Sequence, residues 1–223
     1  MFLHNPSAGQ EGFQALPHPD WNDSYIAGDM PWETGEPDAH LVEWVRSGAI
    51  GSGRALDVGC GIGTNAFWLA GQGFSVLGVD IASVAIEQAR AKAAEAKRDC
   101  RFECLDFMND EVSGGPFDLV FDRGCFHVFD EADDRERFAS RVASLIAPAG
   151  RWLSLTGSTE GGTWDEGPPR RSLRDVADAI EPVMEILELR SIEFHTNLPQ
   201  PIAAWLCLSR PRKVPARPSS REH

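Results

Sequence analysis

The stretch FDRGCFHVF at 121–129 sets an acid, an arginine, a cysteine and a histidine close together among phenylalanines. Cys125 and His127 could begin a metal site, pair as thiolate and base, or line a pocket. A metal would need one or two further ligands at suitable spacing. Only Asp122 stands near, while Cys100 and Cys104 lie farther back in the chain, so no metal is expected. His127 could accept a proton near neutral pH, or donate a single hydrogen bond and do nothing else. Arg123 could hold an acidic group of a ligand, or pair with one of the acids at 130–134.

A second constellation lies upstream in ALDVGCGIGTNAFWLA. Asp57 closes an apolar run, and Gly59, Gly61 and Gly63 allow a tight turn and close approach of backbone to a ligand. The spacing is GxGxG with Thr64 next. A dinucleotide fingerprint wants its third glycine one residue later, and a Walker loop wants a lysine, so neither phosphate-binding form is met and a dehydrogenase is disfavoured. Asp80 ends the next apolar run, where a carboxylate can accept both hydroxyls of a ribose. Asp106 ends the one after, with Phe107 beside it. Three acids at successive strand ends repel phosphate and suit an adenosine carrying a cationic or zwitterionic group.

Elements must hold these residues in place. From residue 54 onward, short runs rich in Val, Leu and Phe alternate with helical patterns, which is how an α/β fold with a mostly parallel sheet reads. The runs are 54–59, 75–80, 101–106, 117–122 and 151–157, and two longer ones at 184–194 and 202–210 close the chain as an adjacent pair. Helices are expected over 38–50, 83–99, 131–148 and 172–183, with a helix start after Gly63. The loop 156–171 has too much Gly and Pro to form an element and follows a strand end, where an open parallel sheet puts its crevice. The segment ahead of the sheet, WNDSYIAGDMPWETGEP, has no periodicity but carries Trp21, Trp32 and Tyr25, the chain's one tyrosine. It reads as a lid or as a cover for one side of the sheet.

The 223 residues, 42% of them hydrophobic, suffice for one core, so a single domain is expected over 1–210, with its lid about 18–50, its sheet core 54–210 and a disordered tail at 211–223. A formal charge of −13 repels nucleic acid and anionic lipid, which leaves small molecules as partners. Five irregularly spaced cysteines, no leader and no membrane-length apolar stretch lead to the expectation of a reduced, cytoplasmic protein.

LDVGCGIGTNAFWLA, followed by VLGVD, resembles the first two motifs of the class I methyltransferases that use S-adenosylmethionine, over about residues 40–210. The resemblance implies a Rossmann-like, doubly wound, seven-stranded sheet, mostly parallel with its last strand antiparallel. It implies that the 57–63 loop, with Cys60, holds the methionine end of the cofactor, that Asp80 holds the ribose, that Asp106 and Phe107 hold the adenine, and that Ile81 and Asp122 are among the cofactor-binding residues. DMPWETGEPDAHL together with FDRGCFH resembles the thiopurine, thiol, halide and tellurite methyltransferase group. By that resemblance Trp32 packs near the sulfonium, Trp21 belongs to the lid, and Asp122 and Arg123 border the acceptor. The N/D-P-P-Y/F sequence of enzymes that methylate amino groups of bases or of glutamine is absent after residue 122.

Methyl transfer is an in-line displacement that needs alignment and exclusion of water, with no covalent enzyme intermediate. Cys125 is then expected to be an inert wall. A thiol acceptor, with a pKa of about 8.5, is partly thiolate already and needs a weak base or none. An oxygen or nitrogen acceptor would need a real base, His127 or His40 or an acid of the 156–171 loop. The non-enzymatic alternative is a nucleotide-binding module without turnover.

Overall fold

The computed structural model describes residues 21–96, 99–161 and 168–212. Its seven strands are β1 (Arg54–Val58), β2 (Ser75–Asp80), β3 (Cys100–Cys104), β4 (Phe117–Arg123), β5 (Ile146–Gly157), β6 (Met184–Phe194) and β7 (Ile202–Pro211). They form one sheet in the order β3-β2-β1-β4-β5-β7-β6. β7 runs antiparallel to both neighbours, and the other strands run parallel. The order reverses at β1, so β1 and β4 send their chains to opposite sides and leave a crevice beyond their carboxyl ends.

The helices are α1 (Trp21–Ala27), α2 (Ala39–Arg46), α3 (Thr64–Gly71), α4 (Ser83–Ala96), α5 (Ala132–Leu145) and α6 (Leu173–Ile180). They cover both faces, and the central strands are therefore apolar along nearly their whole length, as parallel strands must be. Ala55, Val76, Leu119 and Leu153 face one core with α3 residues Ala66 and Leu69. Leu56, Leu77, Val120 and Trp152 face the other with α5 residues Phe138 and Val142. This two-residue alternation also sorts the acids: Asp57 and Asp80 fall on the first face and Asp122 on the second.

Local chemistry sets the ends of the elements. Asp38 caps α2, its carboxylate accepting from the His40 N–H at 2.9 Å. Ser172 and Asp175 form a reciprocal capping box on α6. Four expectations are corrected. The helix expected to reach 148 ends at Leu145, and Ile146 already pairs with Phe117, because Pro148 disfavours helix in the residue before it. β3 ends at Cys104, so Asp106 lies beyond the strand in a turn instead of at its end. The segment without periodicity contains α1, two turns long with Tyr25 buried, too short for its pattern to register. Pro211 belongs to β7 and Arg212 donates to the Glu181 carbonyl, so the tail begins inside the sheet. Residues 18–20 of the lid, 97–98 of the expected helix, 162–167 of the loop and 213–223 of the tail lie outside the described residues.

Candidate active site

The glycine loop is stitched to the end of β2. Gly59 and Cys60 donate to the Val79 carbonyl at 2.8 and 3.0 Å. Asp80 accepts from Gly61 N at 2.8 Å through Oδ2 and from Ala82 N at 2.9 Å through Oδ1, so its carboxylate fixes the loop and keeps a lone pair on each oxygen for a further donor. Ile81 is exposed beside it. Gly61 has φ +53°, and a Cβ there would lie 2.8 Å from Tyr25 Oη. Only glycine admits both that backbone and that neighbour. Gly63 precedes α3, and the Cys60 side chain is buried.

Asp57 is 2% exposed, and its Oδ2 has no hydrogen-bond partner among the described residues. Burial, then the charges of Asp80 and Asp122, push its carboxyl up to about 8, while the Ala66 N–H pulls the other way. An orphaned, buried carboxylate oxygen is costly unless a donor or cation completes it. The residues present thus fit a ligand that brings a cationic amino group to the glycine loop and hydroxyls to Asp80.

Over the loop stand three aromatic residues. Trp32 meets Trp21 edge-on at 5.8 Å and Tyr25 at 6.2 Å. Burial pushes the Tyr25 phenol up, with Asp80 adding to it and a hydrogen bond with Trp32 opposing. The segment carrying Trp32 is tied down at several points: Glu33 Oε1 accepts from Thr64 Oγ1 at 2.9 Å, Asn197 donates to the Pro31 and Glu33 carbonyls, and Asn65 accepts from Asp38 N.

Arg123 fastens the same segment. Its Nε donates to Asp38 Oδ2 at 2.7 Å, one terminal nitrogen donates to the Trp32 carbonyl at 3.2 Å, and the other donates to the His195 carbonyl. Its guanidinium lies 4.9 Å from the Phe194 ring centroid. Neither sequence alternative for Arg123 named Asp38, since an acid with the signature of a helix cap gives no sign that its second oxygen binds a distant strand. His40 sits on α2 with Nδ1 3.9 Å from Glu43.

The 124–127 turn hangs from Asp122, which is fully buried. Its Oδ1 accepts from Phe126 N at 3.0 Å and its Oδ2 from Trp152 Nε1 at 2.9 Å. Burial still pushes its carboxyl up to about 6. Cys125 lies against Gly59. Burial and the Asp122, Asp80 and Asp57 charges push its thiol well above the ordinary range, so it stays protonated. His127 is buried, and its Nδ1 accepts from Gly157 N at 2.8 Å. Burial, with Arg171 and Arg123 adding to it, lowers its imidazole to about 3. Asp106 accepts from Met108 N at 2.8 Å and Asn109 Nδ2 at 2.6 Å, and Phe107 packs on Phe138 at 4.8 Å. Among the described residues no group of three or more His, Cys, Asp or Glu could hold a metal ion, and no helix is long and apolar enough to cross a membrane.

The structure therefore gathers Trp32, Asp57, Gly59, Cys60, Gly61, Gly63, Asp80 and Ile81 about the β1–β2 side of the crevice. It gathers Asp122, Arg123, Cys125 and His127 on the β4–β5 side, with the Asp106–Phe107 turn beyond β3. Tyr25, Trp152 and Gly157 are partners that sequence reasoning did not connect to this site.

Residues 55–150 match a family model described as a methyltransferase domain. Over 137 residues, 60% of the chain, the sequence is 34% identical to the probable thiol methyltransferase 2 of Arabidopsis thaliana, covering 60% of that protein. Over 131 residues, 58% of the chain, it is 29% identical to the 2-heptyl-1-hydroxyquinolin-4(1H)-one methyltransferase of Mycobacteroides abscessus, covering 57% of it. The chain thus aligns with less than two thirds of the length of these curated relatives. A solved structure described for the conversion of a disulfide bond into a thioacetal group during echinomycin biosynthesis superimposes with TM-score 0.75 at 26% identity, covering 86% of this chain and 91% of that one.

Proposed function

We propose that the chain is a class I S-adenosylmethionine-dependent methyltransferase and that it methylates a small thiol or another soft chalcogen nucleophile. The observation that carries the donor side is the buried Asp57 Oδ2, without a partner among the described residues, on the same sheet face as Asp80 and beside the glycine loop that Asp80 holds. S-adenosylmethionine, when bound, supplies a methyl group on a sulfonium that gives it up by in-line displacement. Asp57 and the 59–63 backbone, Cys60 included, would hold its amino-acid end. Asp80 would hold the ribose hydroxyls, and Ile81 and the Asp106–Phe107 turn would hold the base. Trp32 and Tyr25 cover the loop and would keep water from the transferring carbon.

On the acceptor side Asp122 is a positioning residue: its carboxylate is spent on Phe126 and Trp152, and it fixes the turn that carries Cys125 and His127. Arg123 positions the Trp32 segment. Cys125, held as a thiol against Gly59, is wall and not nucleophile. The sulfur acceptor is supported by the relative named as a thiol methyltransferase and by the structural neighbour described for a disulfide-to-thioacetal conversion. A second reading, a small-molecule oxygen acceptor, is favoured by the relative named for a hydroxyquinolinone.

Turnover with S-adenosylmethionine against thiols, sulfide, selenium and tellurium oxyanions, halides and phenols, monitored as S-adenosylhomocysteine, tests the assignment. Thiols and sulfide are expected to give the highest kcat/KM. Turnover of phenols alone would replace the sulfur reading with the oxygen one. Absence of both S-adenosylmethionine and S-adenosylhomocysteine binding in calorimetry would leave a module without this chemistry.

A further inference from the structure

We propose that His127 is a fixed hydrogen-bond donor which holds the methyl acceptor as its anion through Nε2–H, and that it takes no proton from the acceptor. This rests on the methyltransferase reading above and narrows its substrate class to small acids whose conjugate base is already present in solution near neutral pH.

The tautomer carries the argument. The Gly157 N–H can only donate, so His127 Nδ1, 2.8 Å away, is an acceptor and the neutral ring bears its proton on Nε2. A general base needs an open lone pair facing the acceptor, and this ring's lone pair is occupied by the end of β5. What remains is one N–H, and the residue beside it carries no side chain. Gly124, at φ +82°, lies beside Nε2; a Cβ there would come within 3.2 Å of that nitrogen, so a side chain at 124 would cover it. The next residue, Cys125, touches Gly59, so the turn that carries His127 borders the cofactor loop directly.

The groups facing the ring point the same way. Phe194 of β6 meets it edge-on at 6.1 Å. Arg123 of β4 and Arg171 ahead of α6 are the charges that act on it, and both are cations. Burial and those cations keep the ring neutral, so it remains a donor at every pH at which the protein would be assayed. Arg123, paired with Asp38 at 2.7 Å, and Arg171, paired with Asp130 at 2.6 Å, still favour an anion over a cation beside the ring, and the Nε2–H offsets part of what burial costs that anion.

The step balances without an enzyme base. The acceptor loses its proton to solvent before it binds. Its lone pair then forms the bond to the methyl carbon while the methyl–sulfonium bond breaks, and that bond's electron pair stays on sulfur. The acceptor's negative charge and the sulfonium's positive charge cancel, and His127 keeps its proton throughout.

The test is a set of pH profiles of kcat/KM for the whole chain with S-adenosylmethionine and a series of small thiols of graded acidity. The profile is expected to rise and level off at each thiol's own pKa, moving along the series. His127→Gln, whose amide can both accept from Gly157 N–H and donate, should keep kcat/KM within about tenfold. His127→Phe should lose on the order of 10- to 100-fold, mostly in the acceptor's KM, as removal of a hydrogen bond to a charged group does. With S-adenosylmethionine saturating at every pH, so that Asp57 does not enter the profile, an inflection that stays at one pH whatever the thiol, or a His127→Gln variant as impaired as His127→Phe while still binding S-adenosylhomocysteine, overturns the assignment. The profiles need only the unmodified protein, so a variant that fails to fold does not shelter the proposal. A chain that binds no S-adenosylmethionine would instead remove the reading on which it rests.

Discussion

Asp57 occupies a place that a carboxylate tolerates only with a counterpart. Its folded pKa of about 8 stands above its ordinary 3.8 because burial, and then Asp80 and Asp122, disfavour the charge. The folded state therefore binds a proton that the unfolded chain releases. The stability this gives is full below about pH 4 and is lost as pH rises through about 8. Asp122, raised to about 6, acts in the same direction but is spent by that pH. His127, lowered to about 3 from 6.5, works oppositely: its contribution is full above 6.5 and fades as pH falls toward 3. Asp57→Asn should thus flatten the loss of stability seen by chemical denaturation between about pH 4 and pH 8, a gain of several kcal/mol at the upper end, and leave the opposite contribution of His127 in place. The same variant should bind S-adenosylmethionine at least about tenfold more weakly in calorimetry, since the amide cannot offset a cation. A loss between about pH 4 and pH 8 that does not change would show that the carboxyl is already charged in the folded chain. Cys125 invites a companion experiment. Mild alkylation followed by mass spectrometry should label exposed Cys104 well before Cys125, whose thiol is held protonated by burial and four nearby acids.

The N-terminal segment is an element only because other elements hold it. Arg123 and Asp38 are both nearly buried, so removing one leaves the other charge uncompensated. Arg123→Met is expected to cost about 3 kcal/mol and to raise amide exchange across residues 21–38 more than in β1 or β4. Exchange that rises equally everywhere would mean that the pair supports the whole fold and not this segment. Why the sequence announced some elements and hid others follows from the same physics. β2 and β6 could be read to the residue because an apolar run bounded by turn residues is a local signal. So could the turn after β1, since its glycines reflect the backbone needs of the loop itself. The hidden features depend on distant partners: the tie between Arg123 and Asp38, the seat of Tyr25 on Gly61, and the Gly157 N–H that fixes the His127 tautomer. Pattern also misled at Asp106, where an aspartate that closes a turn on Met108 and Asn109 looks in sequence like a strand terminator.

At the scale of the molecule, the crevice joins two halves that the sheet order keeps apart: the acid-rich loops after β1 and β2, and the β4–β5 turn carrying His127 between two arginines. One ligand spanning them should stabilise the native state as a whole, because the unfolded chain offers no such juxtaposition. At about a hundred times its Kd, S-adenosylhomocysteine would contribute roughly 2.7 kcal/mol, a rise of about 5–10 °C in Tm for a chain of this size. Asp80→Ala should abolish most of that rise, and it should lower the ligand-free Tm as well, because Asp80 also holds Gly61 and Ala82. The two effects separate in a titration: the structural loss is constant with ligand concentration, whereas the lost binding shows as a flattened slope of Tm against its logarithm. A variant with a lowered Tm but an unchanged slope would mean that Asp80 only anchors the loop, and the ribose would then have to be held by some other group at the end of β2.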